Sequence, residues 1–233
     1  MKKSEVLNIS MKQKRDFIPA LRYNWLTKLY DPIVQYSMPE EKFKKALLAQ
    51  ANVEQNAQVL DFGCGSLTLS LMAKKTQPSA YIHAVDVDDK ILMIAAEKLR
   101  VEKQDIFIKK YEGRVLPYNP NSFDRVISSL VFHHLDKAQK MNSLYEIFRV
   151  LKPGGELHIA DWGKAKNGLM RAAFYSIQLL DGFETTKDNV KGLLLSYLSQ
   201  AGFKEVQITQ EFQTLFGTLA LYKATKPADN TIL

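Results

Sequence analysis

The sequence predicts an α/β fold: a doubly wound, mostly parallel seven-stranded sheet of Rossmann-like type, with a C-terminal antiparallel hairpin and an N-terminal helical cap. Three observations predict it. From residue 57 onward, short apolar runs alternate with segments of helical periodicity, which is the pattern of βαβ units around a parallel sheet. The chain has 233 residues, 46% of them apolar, enough for one large domain or a domain with a small cap. Near the end the rhythm breaks into two β-rich runs, KEVQITQ and TLFGTLALYKA, close enough to pair as a hairpin.

The elements follow in order. Residues 1–50 are helical in pattern, with Phe17, Tyr23, Trp25, Tyr30, Tyr36 and Phe43 spread among lysines, and are expected to form a cap or lid on a domain spanning 51–233. QVLDF is the first strand and leads to a helix through about Lys75. YIHAVDV is the second strand, and the helix after it runs from about Asp88 to Val101, with Asp88 or Asp89 as its cap. DIFIKKY and FDRVISSL are the next two strands. A helix from about Asp136 to Leu151 is expected to stop at Pro153-Gly154-Gly155, after which residues 156–162 resume as a buried strand. Residues 165–183, within an insertion at about 163–185, read as a helix apolar on most of its circumference, which must be covered by a substrate, by core or by a second copy in a homodimer. A last helix, about Lys187 to Gln200, ends at Ala201-Gly202.

Composition narrows the class further. Eleven glycines and eight prolines exclude collagen-like and low-complexity chains, and no apolar run approaches the ~20 residues of a membrane span. The start, MKKSEVLNISMKQKRDF, is positive but lacks the apolar stretch and small-residue cleavage site of an export signal, so the reading is cytoplasmic. A single cysteine, Cys64, can make neither an internal disulfide nor a four-ligand zinc site, which agrees. Of the net charge of +7, residues 1–50 carry +5. Such a segment could attract nucleic acid, an anionic membrane surface or an acidic substrate, or it could be a solvated helical face.

Val59-Leu60-Asp61-Phe62-Gly63-Cys64-Gly65-Ser66 is a buried strand entering a glycine turn that opens a helix. In open α/β sheets, ligands sit beyond the carboxyl ends of such strands, and glycines let the backbone approach them. A dinucleotide fingerprint is absent, because the sixth position counted from Gly63 is Thr68 and Asp61 sets a negative charge where a pyrophosphate would lie. An ammonium group would instead welcome Asp61. Asp86, followed by Val87, ends the second strand twenty-three residues after Gly63, where a carboxylate can accept from both hydroxyls of a ribose. A ribose plus an amino acid without phosphate describes S-adenosyl-L-methionine.

At these residues the chain resembles the class I S-adenosylmethionine-dependent methyltransferases, in particular the small-molecule branch of ubiquinone and menaquinone biosynthesis. VLDFGCGS is similar to the first motif of that family, Asp86 to its ribose-binding acid, Glu112-Gly113 with LPYNPNSFD to its next loop, and RVLKPGGELHIAD to its late helix–turn–strand motif. The resemblance implies a cofactor set of Asp61, Gly63, Cys64, Gly65, Asp86, Val87, Glu112, Gly113 and Ser128, with Glu112 at the adenine amino group. It also implies that the insertion walls the substrate cavity. Leu67 stands where a third glycine is usual; a leucine does not take positive φ cheaply, and its side chain is expected to crowd the methionine end.

A methyl group on a sulfonium is already electrophilic, so the protein has mainly to position a nucleophile and exclude water, and no metal is needed. A base is required only for some acceptors. Candidates are His133 and His134, expected to point in different directions after the fourth strand, and Asp161 after the fifth, which reads equally as a cap. In the resembled family F-H-H-L also recurs as a structural turn. Ser128-Ser129-Leu130-Val131 stands where base-methylating enzymes carry an Asn/Asp-Pro-Pro-aromatic tetrapeptide, and Cys64 is misplaced for attack on cytosine, so DNA is not an expected partner. The aromatics of the cap either line an apolar pocket or stack on RNA, the pocket being the better-supported use. The leading expectation is a small, largely apolar, aromatic or lipid-like acceptor beneath a lid of Tyr23, Trp25, Tyr30, Trp162 and Phe174. The alternatives are an RNA or protein methyltransferase and a non-catalytic binding module.

Overall fold

The computed structural model describes residues 40–163, 188, 191–214 and 217–228. The expected lid residues Tyr23, Trp25, Tyr30 and Phe174, and the apolar helix over 165–183, lie outside the described residues. The chain builds a seven-stranded sheet in which β1 (Gln58–Phe62), β2 (Tyr81–Asp86), β3 (Ile106–Lys110), β4 (Phe123–Ser129) and β5 (Leu151–Trp162) are parallel, while β6 (Lys204–Gln213) and β7 (Thr218–Thr225) form an antiparallel hairpin. The order is β3-β2-β1-β4-β5-β7-β6, with β7 antiparallel to β5. Strand order therefore reverses between β1 and β4, and a crevice is expected at the carboxyl ends of these two strands.

Helices cover both faces. On one face α1 (Glu40–Ala51), α2 (Thr68–Thr76) and α3 (Asp89–Glu102) pack against Val59, Ile82, Ala84, Ile127 and Ala160. On the other, α4 (Lys137–Val150) and α5 (Leu194–Gln200) pack against Leu60, Val85, Val126, Leu157 and Ile159. Strand alternation thus assigns each side chain to a face. Phe43, expected in the cap, is fully buried on α1 in the core, and the boundary expected at residue 50 falls inside this helix.

The start signals act as read. Asp88 caps α3 by accepting from the Lys90 N–H at 2.8 Å, and Asp136 with Gln139 forms a capping box on α4. The stop signal does not. The helix ends because Leu151 turns extended and begins β5 opposite Phe123, so Pro153-Gly154-Gly155 lies within β5, where the register with β4 shifts. There the Gly154 N–H donates to the Lys226 carbonyl and the Lys226 N–H to that of Gly155, making the tripeptide an irregular stretch tied to the end of β7. In the helix expected from Lys187, Asp188 is helical, residues 191–193 form a turn and α5 begins at Leu194; the helix ends as read, with Gly202 at φ +100°.

Candidate active site

The glycine turn is bonded to the neighbouring strand: Gly63 and Cys64 both donate their N–H to the Val85 carbonyl, at 2.9 and 3.0 Å. Gly63 (φ +72°) has no room for a side chain, since a Cβ would lie 2.4 Å from Cγ2 of Val131, in the segment after β4. This contact joins the ends of β1 and β4. Gly65 (φ +52°) is the opposite case, with nothing within 4 Å of such a Cβ. Its open side is room for a ligand to approach the backbone.

Asp61 lies under this turn, on the α2 face, 1% exposed. Oδ2 accepts from Ser70 Oγ at 2.5 Å, whereas Oδ1 is buried with no hydrogen-bond partner. Burial pushes its carboxyl up to about 6, more than the Ser70 bond lowers it. Ser70 escaped the sequence reading; its signal is a hydroxyl among the apolar positions of α2. Ser129 Oγ, at the end of β4 and on the same face by alternation, is a second buried oxygen without a partner. Two orphaned polar atoms at the carboxyl ends of the adjacent strands β1 and β4, with the open Gly65 in the turn after β1, fit a ligand carrying an ammonium and other donors.

Asp86 reaches the same turn. Its Oδ2 accepts from the Gly65 N–H at 2.9 Å, and its Oδ1 accepts from Val87 at 2.7 Å and Asp88 at 3.1 Å. The carboxylate therefore holds the turn and the start of α3 as well, which leaves it less free for two ribose hydroxyls than its position implied. Cys64 is buried, and burial, with the charges of Asp61 and Asp86, raises its thiol far above the range of a nucleophile.

Residues 59–155 match a family model described as a methyltransferase domain. The demethylmenaquinone methyltransferase of Leptospira interrogans is 27% identical over 235 residues, covering 90% of this chain and 92% of its own. The ubiquinone/menaquinone biosynthesis C-methyltransferase UbiE of Shewanella piezotolerans is 24% identical over 246 residues, covering 94% of each. The chain thus resembles methyltransferase domains over residues 59–155. Its fold is shared with an S-adenosylmethionine-dependent methyltransferase from Aquifex aeolicus, at TM-score 0.57 and 19% identity over 84% of this chain and 97% of that one.

Around this turn the other expected residues separate into groups. Glu112 is largely exposed, 3.5 Å from Lys110, which also binds Asp89 at 2.7 Å; Gly113 beside it is exposed at φ +75°. Ser128 is fully buried and donates its hydroxyl to the Phe62 carbonyl at 2.9 Å, so it fastens β4 to β1 instead of facing a cofactor. Leu67 does adopt positive φ (66°), at the N-terminus of α2, and its side chain is fully buried in the core among α1 and α2 residues. The backbone there has the conformation a glycine prefers, and burial of the leucine offsets the strain. Trp162 is buried in that same core cluster.

The histidines sit in a 3-10 turn, Phe132–His134. They do not diverge: their ring centroids are 3.9 Å apart. Asp161, on the opposite face of the sheet from Asp61, clamps this turn. It accepts from the N–H groups of Phe132 (2.7 Å), His133 (3.3 Å) and Trp162 (2.7 Å), and its Oδ1 lies 2.9 Å from His133 Nδ1. Burial pushes the Asp161 carboxyl up, but the His133 charge and bond and the Trp162 N–H outweigh it and hold it below its usual range. Asp161 is therefore the cap that the sequence reading offered as one of its two roles. His134 is pushed down to about 3 by burial first and the neighbouring His133 second, so it is a neutral imidazole at physiological pH. The ring of Phe62 packs on Phe132 (5.9 Å) and on Tyr111 (5.8 Å), joining this turn to the ends of β1 and β3. Among the described residues no helix is long and apolar enough to cross a membrane, and no group of three or more metal-ligating side chains gathers.

Proposed function

We propose that the protein transfers a methyl group from S-adenosylmethionine to a ring carbon of a hydroxylated aromatic acceptor with an apolar tail, of the demethylmenaquinol kind. The observation that carries the cofactor half is the buried, unpartnered Oδ1 of Asp61 beside the open face of Gly65. The acceptor class rests on the names of the relatives matched over nine-tenths of the chain.

When bound, the cofactor supplies an electrophilic methyl group. The residues of the chain do the rest. Asp61 takes the ammonium, with Ser129 as an adjacent donor; Asp86 Oδ2, which keeps a lone pair beyond its Gly65 bond, takes a ribose hydroxyl; Glu112 serves the adenine side, as the resemblance implies. Tyr23, Trp25, Tyr30 and Phe174, outside the described residues, are proposed to enclose the acceptor and exclude water, whereas Trp162 belongs to the core. His134, neutral and held by the Asp161-clamped turn, accepts the acceptor's hydroxyl proton, which makes the adjacent ring carbon nucleophilic. His133 and Asp161 position it. No metal takes part.

The test is transfer of labelled methyl to a panel of quinol, phenol and amine acceptors. Label on a ring carbon of the quinol is expected, and His134→Gln should lower kcat by about 10²-fold or more with cofactor affinity unchanged. Label on nitrogen or on a phenol oxygen overturns the acceptor; cofactor binding without transfer to any acceptor favours a non-catalytic module.

A further inference from the structure

Outside the candidate active site, a chain of polar side chains runs beneath the last turn of α1 and ties it to β4, β5, β6 and β7. Its centre is His158 on β5, which is fully buried. Gln50, at the end of α1, holds its amide nitrogen 2.9 Å from His158 Nδ1 and donates from the same nitrogen to the Tyr222 carbonyl on β7 at 3.0 Å. Its amide oxygen accepts from the Thr209 hydroxyl on β6, which also reaches the Leu221 carbonyl at 3.3 Å. One residue on, the Ala51 carbonyl accepts from Arg125 Nε of β4 at 2.9 Å. Thr209 falls where the register of β6 on β7 shifts, between Ile208 and Gln210, so Gln50 holds an irregular stretch of the outermost strand.

These contacts fix where the protons are. A carbonyl only accepts, so Gln50 must turn its NH2 toward Tyr222, and the second hydrogen of that group is left for Nδ1. Nδ1 is therefore bare, and the imidazole proton sits on Nε2, 3.1 Å from Glu156 Oε2. Glu156 also meets Lys223 of β7 at 2.7 Å and Arg125 at 3.6 Å, and these partners, His158 first, hold its carboxyl down to about 2. It stays ionised wherever a histidine titrates. The charged groups around His158 are thus Glu156 on its own strand, Arg125 from β4 and Lys223 from β7, while α1 and β6 present the neutral Gln50 and Thr209; Glu54, beyond α1, pairs with Arg125 at 3.9 Å. A second proton on His158 has to go to Nδ1, where it meets the NH2 of Gln50.

We propose that His158 is an acid-sensitive latch: its neutral form holds Gln50 where it fastens the end of α1 and the irregular stretch of β6, and a proton on Nδ1 undoes both ties. Burial, opposed by Glu156 and aided by Arg125 and Lys223, keeps the imidazole below its ordinary value of 6.5. The stability that the latch contributes is therefore complete above that ordinary value and is lost as pH falls through the lower value of the folded protein. Phe43, Leu47 and Leu48 keep the helix itself on the sheet, so the opening is local. The latch stands apart from the proposed methyl transfer and needs no cofactor.

The test is NMR of the full chain labelled with nitrogen-15, titrated from about pH 7.5 to about pH 4. At neutral pH the His158 nitrogens should report the Nε2–H form, and the Nδ1–H form overturns the proposal. Protonation should come below the ordinary histidine value, and the Gln50 carboxamide and Thr209 backbone signals should shift with the same midpoint. In His158→Gln the acid shift at Thr209 should vanish. In Gln50→Glu a carboxylate replaces the NH2 and accepts from Nδ1–H, so the His158 midpoint should rise by about one pH unit or more. This variant carries the test if the parent unfolds before His158 titrates. Gln50 and Thr209 signals that ignore the His158 titration, or a midpoint unmoved in Gln50→Glu, overturn the proposal, because a merely structural histidine would lower stability on substitution and show neither coupling.

Discussion

Asp61 and Asp161 are the same residue type, 1% and 0% exposed, at the carboxyl ends of two strands of one sheet, yet their surroundings are opposite. Asp161 accepts from three backbone N–H groups and faces an imidazole, and its carboxyl is held below the ordinary range. Asp61 has Ser70 as its hydrogen-bonding residue and an orphaned oxygen, and burial lifts it to about 6 although the Ser70 bonds and the charge of Lys44 pull the other way. A buried carboxylate with all its partners supplied by the fold is part of the scaffold. One left short is a site whose remaining partner must come from outside. Of these two aspartates, Asp161 shapes the turn, and Asp61 is the one proposed to bind.

The largest effect that could break this contrast is on the scaffold side. Asp161→Ala should cost roughly 3–5 kcal/mol in denaturant unfolding, because it strands three N–H groups and a histidine in the interior. A loss below about 1 kcal/mol would mean that the clamp is not structural. Next is Leu67→Gly. Relief of positive φ returns about 1–2 kcal/mol, but loss of a fully buried leucine exceeds it, so a net loss of about 2–4 kcal/mol is expected, with cofactor affinity unchanged or tighter.

Asp61→Asn should act in the opposite sense to Asp161→Ala, raising the stability of the ligand-free protein by about 1–3 kcal/mol at pH 7 while weakening cofactor binding at least about tenfold. The sign follows from its raised carboxyl: the stabilising contribution is complete below the unfolded value near 3.8 and is lost as pH rises through about 6. Urea melts of both proteins at pH 4 and pH 7 should therefore converge at the lower pH. The smallest effect is that of Asp86→Ala, which should weaken S-adenosylhomocysteine binding by about 1–2 kcal/mol in calorimetry through loss of a ribose acceptor and a looser Gly65 turn.

The sheet was readable from local pattern, since β1 to β5 and the helices between them follow the alternation of apolar runs, and Asp88 and Asp136 cap where a side-chain oxygen precedes a helix. Gly65 and Asp86, both singled out from the sequence, meet in a hydrogen bond at the turn that follows β1, the strand of Asp61. What was not readable depends on contacts distant in sequence. Ser128, which the resemblance puts in the cofactor set, donates its hydroxyl to the carbonyl of Phe62, 66 residues away. Gly154 and Gly155 looked like a helix stop because Lys226, which bonds to both, lies at the far end of the chain. The histidines looked divergent because a strand alternates, whereas Asp161, 28 residues on, winds them into a 3-10 turn. Leu67 looked like an obstacle because positive φ is visible in sequence and the core that buries its side chain is not.

The claim on which the rest depends is the proposal that the orphaned Oδ1 of Asp61 takes the cofactor ammonium. Calorimetric titration with S-adenosylhomocysteine between pH 5 and pH 7 tests it most directly. Binding that is about tenfold weaker at pH 5 than at pH 7, with proton release that disappears in Asp61→Asn, is the predicted result. Affinity that is flat across this range, or Asp61→Asn binding as tightly as the parent, would contradict it.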